Sequence, residues 1–284
     1  MKKKSNKQIV EKQLPKRILV TMEQSGYGMS ALRVAAGMAA ELQGELLGLL
    51  VEDINLIRLA ELPFSREVNL FEEGGYHLCL DSLEKQLHSQ AERLRHNLAS
   101  IAGQQKIPWS FRLARGRLAA EIMAALRETD VLIMGQMQRA FSQPFRLSSQ
   151  FTKHRLLSAT IPLSQGFRQP IMVFYNGSLS SDRALRTAAL LVRKNGERRL
   201  VVILPAVEPA RLVELEHQVV NWQEQTQLQL RFMHLLNNDI SALVKLGRSR
   251  YVGALILGQD AFSLDEQSIT ELLDCPDYVV VLVK

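Results

Sequence analysis

Short apolar runs alternate with segments of helical spacing along this chain. Ile18–Met22 is a run without polar alternation, the pattern of a strand buried on both faces. Glu45–Val51, Trp109–Ala114 and Val131–Met134 read as further strands, and Thr160–Leu163 as a short, weak fifth. Helices are predicted over Ser30–Leu42, Leu80–Ile101, Ala119–Arg127 and Phe151–Ser158. The rest of the chain repeats this order more compactly. Strands are predicted at Ile171–Tyr175, Leu200–Leu204, Leu228–His234, Ala254–Leu257 and Tyr278–Val283. Helices are predicted between them at Asp182–Arg193, Ala210–Thr226, Ile240–Leu246 and Glu266–Leu273. Alternating strands and helices make a parallel sheet covered on both faces, with ligands at the strand carboxyl ends.

The repetition extends to individual residues. Ser25 opens the run S-x5-A-L-R-x-A-A, which ends at Ala36, and Ser178 opens the same run, which ends at Ala189. Val131-Leu132-Ile133-Met134-Gly135-Gln136 is answered by Ala254-Leu255-Ile256-Leu257-Gly258-Gln259. Two matches in the same order indicate tandem copies of one α/β unit. The boundaries expected are a basic flexible tail over 1–15, a first domain over 16–166 and a shorter second domain over 167–284.

The motifs resemble the universal stress protein family. In both copies a strand leads into S-x5-A-L-x-x-A-A, and a later strand ends in a glycine. The first copy has an acidic residue, Glu23, after its first strand, and Cys275-Pro276 precedes the last strand of the second. In the first copy Ile161-Pro162-Leu163 holds that last place. The resemblance implies two tandem Rossmann-like domains of the adenine-nucleotide α-hydrolase type. Each is then a mainly parallel five-stranded sheet with helices on both faces. It also implies contact between the domains through their fifth strands. Tyr278–Val283 is apolar enough for that role and Thr160–Ser164 is short and polar, so an asymmetric pairing is expected.

Nucleotide-binding members carry an Asp after strand one and a G-x2-G-x9-G-[ST] loop after strand four. Glycines let such a loop bring its N–H groups close to phosphates. This chain has Glu23 and Asn176 at the two Asp positions. After Gly135, the residues Gln138, Phe141 and Ser148 stand where glycines would be, Pro144 stiffens the loop, and Ser149 keeps the closing hydroxyl. In the second copy Gly258–Ser263 runs almost directly into the next helix. The resemblance therefore implies a non-catalytic binding or regulatory protein of the stress response, without a cofactor and without ATP bound in the family's usual way. The alternative is an adenine-nucleotide sensor holding ATP or AMP in the first domain through Glu23, Gly135 and Ser149. Arg139, Arg146, Lys153, His154 and Arg155 make that loop basic, either to hold an anion or as an ordinary solvated surface.

Composition narrows the picture further. The net charge is +6, and residues 1–17 carry all of it, with seven Lys and Arg against Glu11. The body is neutral, so nucleic acid or anionic lipid is expected to engage the basic tail if it engages the chain at all. No apolar run reaches the roughly 18–20 residues of a membrane span. Cys79 and Cys275 lie in different halves without metal spacing and suit a reducing cytoplasm. The six histidines form no H-x3-H or H-E-x-x-H motif, and there is no G-x-S-x-G elbow or P-loop. Glu52 and Asp53 end the second strand, where acidic residues often finish such strands, but as a catalytic pair they would need a partner base or metal that the sequence does not supply. The Asn55–Tyr76 insertion holds Leu56, Ile57, Leu59, Leu62, Phe64, Leu70 and Phe71. Burial against its own domain is expected, with a lid or a partner surface as alternatives. An unidentified protein partner and a homodimer through an outer surface complete the expectations.

Overall fold

The computed structural model describes residues 17–23, 26–62, 66–67, 76–77, 80–135, 170–194, 198–223, 226, 228–249, 252–273 and 278–284. The first half contains β1 (Arg17–Thr21), α1 (Gly26–Glu41), β2 (Glu45–Asp53) and α2 (Ile54–Ala60). The two-residue strands β3 (Arg66–Glu67) and β4 (Tyr76–His77) follow, then α3 (Leu80–Gln105), β5 (Trp109–Gly116), α4 (Leu118–Leu126) and β6 (Val131–Met134). The second half contains β7 (Ile171–Phe174), α5 (Leu179–Lys194), β8 (Arg199–Leu204) and α6 (Pro209–Gln223). It continues with β9 (Gln229–His234), α7 (Ile240–Ser249), β10 (Ala254–Gly258), α8 (Glu266–Leu273) and β11 (Val279–Val283).

Among the described residues, nine strands form one sheet in the order β5-β2-β1-β6-β11-β10-β7-β8-β9. Each half contributes its third, second, first and fourth strands, counted from the outer edge inward. A single strand, β11, lies between the two sets of four. It runs parallel to β10, with Ile256 opposite Val281, and antiparallel to β6, with Ile133 opposite the same Val281. β11 thus sits on a pseudo-two-fold axis, and the two half-sheets run in opposite directions. Their strand carboxyl ends, where α/β sheets bind ligands, open at opposite ends of the sheet.

Burial follows from these positions. β1, β6, β7, β10 and β11 are near-continuous apolar runs, buried on both faces apart from the first residue of β1. The edge strands β5 and β9 have few or no fully buried positions. One core lies between the sheet and α1, α3, α5 and α6, with Val279, Val281 and Val283 from β11. The other lies between the sheet and α4, α7 and α8, with Val280 and Leu282. The two-residue period of β11 therefore serves both layers. Around it, Lys284 N donates to Asp130 O at 2.9 Å, and Arg17 N donates to Asp130 Oδ2 at 2.9 Å. Arg183 donates to Lys284 O at 2.9 Å, and Arg117 pairs with Glu266 across the halves at 2.9 Å.

The mainly parallel α/β sheet is present, with the first four strands expected of the first copy and all five expected of the second. The pairing is asymmetric, but β11 meets the fourth strand of the first copy, β6. The expected strand Thr160–Leu163, the helix Phe151–Ser158 and the basic tail up to residue 15 lie outside the described residues, as do Cys79 and Cys275. The insertion begins with a helix that the sequence reading did not predict. In α2, Ile57 and Ala60 are buried, and the helix packs against α3, β2 and β5 of its own half.

Removing apolar volume from β11 is expected to weaken both halves together. Val281→Ala should cost about 2–3 kcal/mol and lower a single common unfolding transition. Two calorimetric transitions, only one of them shifted, would contradict the shared-strand arrangement.

Candidate functional site

The strand carboxyl ends of the first half bring two of the proposed site residues together. β1 and β6 are parallel neighbours, with Val20 opposite Ile133. Glu23, half-buried, and Gly135, buried, follow these strands and so occupy adjacent strand ends. Ser149 lies outside the described residues.

One polar residue at this end escaped the sequence reading. Thr21 is 2% exposed, and its Oγ1 has no hydrogen-bond partner among the described residues. Strand alternation places it on the face of Leu19, with Met134 and Leu49 in the same layer. A buried hydroxyl ordinarily finds a partner. Its signal in the sequence was a lone hydroxyl at the end of an otherwise apolar strand, Ile18-Leu19-Val20-Thr21.

The carboxylates that end β2 have architectural partners. Glu52 is 6% exposed and accepts from Arg115 Nε at 3.0 Å, while Arg115 also lies 3.8 Å from Glu84. The arrangement ties β2 to β5 and to the start of α3. Asp53 caps α2, its Oδ1 accepting from Asn55 N at 2.9 Å. Both side chains hold the chain's own backbone and cations rather than facing each other as an acid–base pair.

The equivalent end of the second half is filled by the protein itself. Asn176 Oδ1 accepts from Ser178 N at 3.0 Å, shaping the turn into α5, and Gly177 supplies the positive φ of 80° that this turn needs. Ser178 Oγ caps α5 by accepting from Ser181 N at 3.2 Å. After β10, a single 3-10 turn over Gln259–Ala261 lies against α5. Asp260 N donates to Ser180 Oγ at 3.2 Å, and Asn176 Nδ2 donates to Asp260 O at 3.5 Å. A Cβ on Gly258 would overlap Ser180 Oγ and sit 2.7 Å from Ser181 N, so only glycine allows this approach. Phe262 closes the layer against Phe174, with ring centroids 4.9 Å apart.

Beside this turn, Tyr175 links α5 to α6. Its hydroxyl donates to Asp182 Oδ1 at 3.0 Å and lies 3.2 Å from Gln218 Oε1. Burial, then the Asp182 carboxylate, push the hydroxyl well above the usual tyrosine range, against a smaller opposing effect of Arg211.

Among the described residues no group of three or more His, Cys, Asp or Glu is gathered for a metal ion, and no helix is long and apolar enough to cross a membrane. His88 and His96 lie eight residues apart on α3, and His234 pairs with Glu216 at 3.1 Å.

A nine-stranded α/β sheet with paired strand-end regions defines a tandem protein of the universal stress protein fold. A universal stress protein from Archaeoglobus fulgidus DSM 4304 superposes with a TM-score of 0.53 at 13% identity, covering 94% of this chain and 96% of its own. A functionally unknown protein from Pseudomonas aeruginosa PAO1 aligns over 96% of this chain and 93% of its own, at 12% identity and a TM-score of 0.46. A universal stress protein family member from Burkholderia pseudomallei aligns over 42% of this chain and 80% of its own, at 18% identity and a TM-score of 0.32. The likeness is one of fold. No family model and no curated protein matches the sequence.

The Tyr175 contact has a pH signature. The native state keeps this hydroxyl protonated while the unfolded chain ionises it in the ordinary tyrosine range. Its contribution is present below that range, and stability falls as pH rises through about 10. Tyr175→Phe should flatten the alkaline limb of the unfolding profile and cost about 0.5–1.5 kcal/mol at neutral pH. An unchanged alkaline limb in denaturant titrations would show that Tyr175 ionises freely in the native state.

Proposed function

We propose that this chain is a non-catalytic binding or regulatory protein of the universal stress protein type, acting in the cytoplasm through a protein partner. The seated Gly258–Phe262 turn carries the reading. In the second half, Ser180, Asp260, Asn176 and Phe262 occupy the strand ends where a nucleotide of the family would approach. Glu52 and Asp53 are bound into the architecture, which leaves the first half without that carboxylate pair for catalysis. The stress-response role rests on likeness of fold, and fold alone does not fix function.

A second reading is favoured by one observation, the buried hydroxyl of Thr21, which has no hydrogen-bond partner among the described residues. Together with Glu23 and Gly135 it offers a polar end to the first half's strand-end region. That end is suited to an adenine nucleotide such as ATP or AMP; the reading also takes in Ser149, which lies outside the described residues.

Native mass spectrometry of the full chain, with and without Mg-ATP, separates the two. Bare protein that ignores ATP is the expected result. A retained or added mass matching a nucleotide, lost on Gly135→Trp, would replace the first reading with the sensor. Nucleotide turnover that survives rigorous purification would overturn the non-catalytic assignment.

A further inference from the structure

The register of the sheet brings the start of β1 to the strand-end loops of the other half. Ile18 of β1 is level with Val131 of β6, Val131 with Val283 of β11, and Val283 with Gly258 of β10. The alignment continues outward, with Ile256 level with Val173, Val173 with Val202, and Val202 with Phe232. β1 and β6 run against the direction of β7 to β11, so the amino end of β1 and the carboxyl ends of β7, β8, β9 and β10 share one end of the sheet.

The loops at this end are acidic and bear exposed apolar side chains. Leu179, 77% exposed, opens α5 after β7, Val207 follows β8, and Leu236, 93% exposed, follows β9. Asn238 ties the last two loops together, its Nδ2 donating to Ala206 O at 2.8 Å and its Oδ1 accepting from Ala206 N at 2.7 Å. Residues 176–178, 205–209, 235–239 and 258–266 contain no Lys, Arg or His, and they include the exposed Glu208, Asp239, Asp260 and Asp265. Near the starts of α5 and α6, Arg183 is engaged by Lys284 O at 2.9 Å and Arg211 by Glu214 at 2.6 Å. A helix N-terminus carries only about half a positive charge, so the full carboxylates on the loops after β8, β9 and β10 leave this surface negative.

We propose that the chain's own basic segment, residues 1–16, docks on this surface within the same molecule. The segment lies outside the described residues and carries six Lys against Glu11, with Ile9, Val10 and Leu14 among them. Charge complementarity and reach both select it. Neighbouring strands stand about 4.8 Å apart, so the ends of β7 and β8, four and five strands from β1, lie about 19 and 24 Å from Arg17. An extended chain covers about 3.3 Å per residue, which puts Ile9 and Val10 about 23–26 Å from Arg17, level with Leu179 and Val207. Lys2, Lys3, Lys4 and Lys7 then reach the carboxylates around Leu236. The tether makes even weak ion pairs count, because it holds the segment at a high effective concentration. Neither reading of ligand binding is needed for this contact.

The test is zero-length carbodiimide cross-linking of the full chain, read by mass spectrometry on an equal mixture of light and heavy-isotope-labelled protein. Lys2, Lys3, Lys4 and Lys7 are expected to couple to Glu208 and Asp260 of the same chain in preference to the exposed Glu61 and Glu92. That preference should vanish in about 1 M salt, where the screening length is about 3 Å. Tryptic cleavage after Lys7 and Lys12 gives a second readout that does not need the coupled carboxylates. Glu208→Gln with Asp260→Asn should speed it about threefold, and Leu179→Ser with Leu236→Ser should speed it likewise. The thermal melt should stay unchanged in both variants, since all four side chains are exposed. Links spread evenly over exposed carboxylates, links chiefly between light and heavy chains, or a cleavage rate indifferent to both variants would each overturn the proposal.

Discussion

One strand has to finish two sheets. β11 lies in the middle of nine strands, so each of its edges must pair and each of its faces must be apolar. Val279-Val280-Val281-Leu282-Val283 meets both demands, because alternate residues enter the two cores and branched side chains suit a pleated, buried surface. Pulling the halves apart would bare β6 along one edge of β11 and expose apolar surface on both layers. At the end of this strand Lys284 N donates to Asp130 O across the seam, and Arg183 holds Lys284 O from the second half's side.

The direction of β11 also separates the two strand-end regions. Parallel to β10 and antiparallel to β6, it sets the half-sheets running in opposite directions, so each region faces its own solvent. Their chemistry differs. The second is closed by local chemistry: an Asx turn at Asn176, a serine cap, and a glycine that lets β10 approach α5. The first keeps Glu23 and Gly135 on neighbouring strands and adds the buried hydroxyl of Thr21. A buried hydroxyl with no partner among the described residues is costly to maintain, which is why it weighs in the choice between the two functional readings.

Much of the architecture was legible in advance because buried parallel strands and amphipathic helices leave strong periodic signals. The duplicated S-x5-A-L-R-x-A-A run and the two glycine-terminated strands announced the tandem order. The helix α2 was missed because its apolar residues are spread through an insertion without clear periodicity. Its start depends on Asp53, which the sequence presented as half of a carboxylate pair. Thr21 drew no notice because a threonine at a strand end is ordinary until its partners are counted.

Two α/β copies, the apolar character of Val279–Val283 and the scarcity of glycine after Gly135 can all be read from the order of residues alone. These are local properties, written in residue type and spacing. Packing in three dimensions settles that one strand serves both halves, that Glu52 belongs to Arg115, and that Ser180 receives the turn after β10. Such pairings join residues far apart in the chain. They are set by which surfaces can be buried together, and no local pattern carries that information.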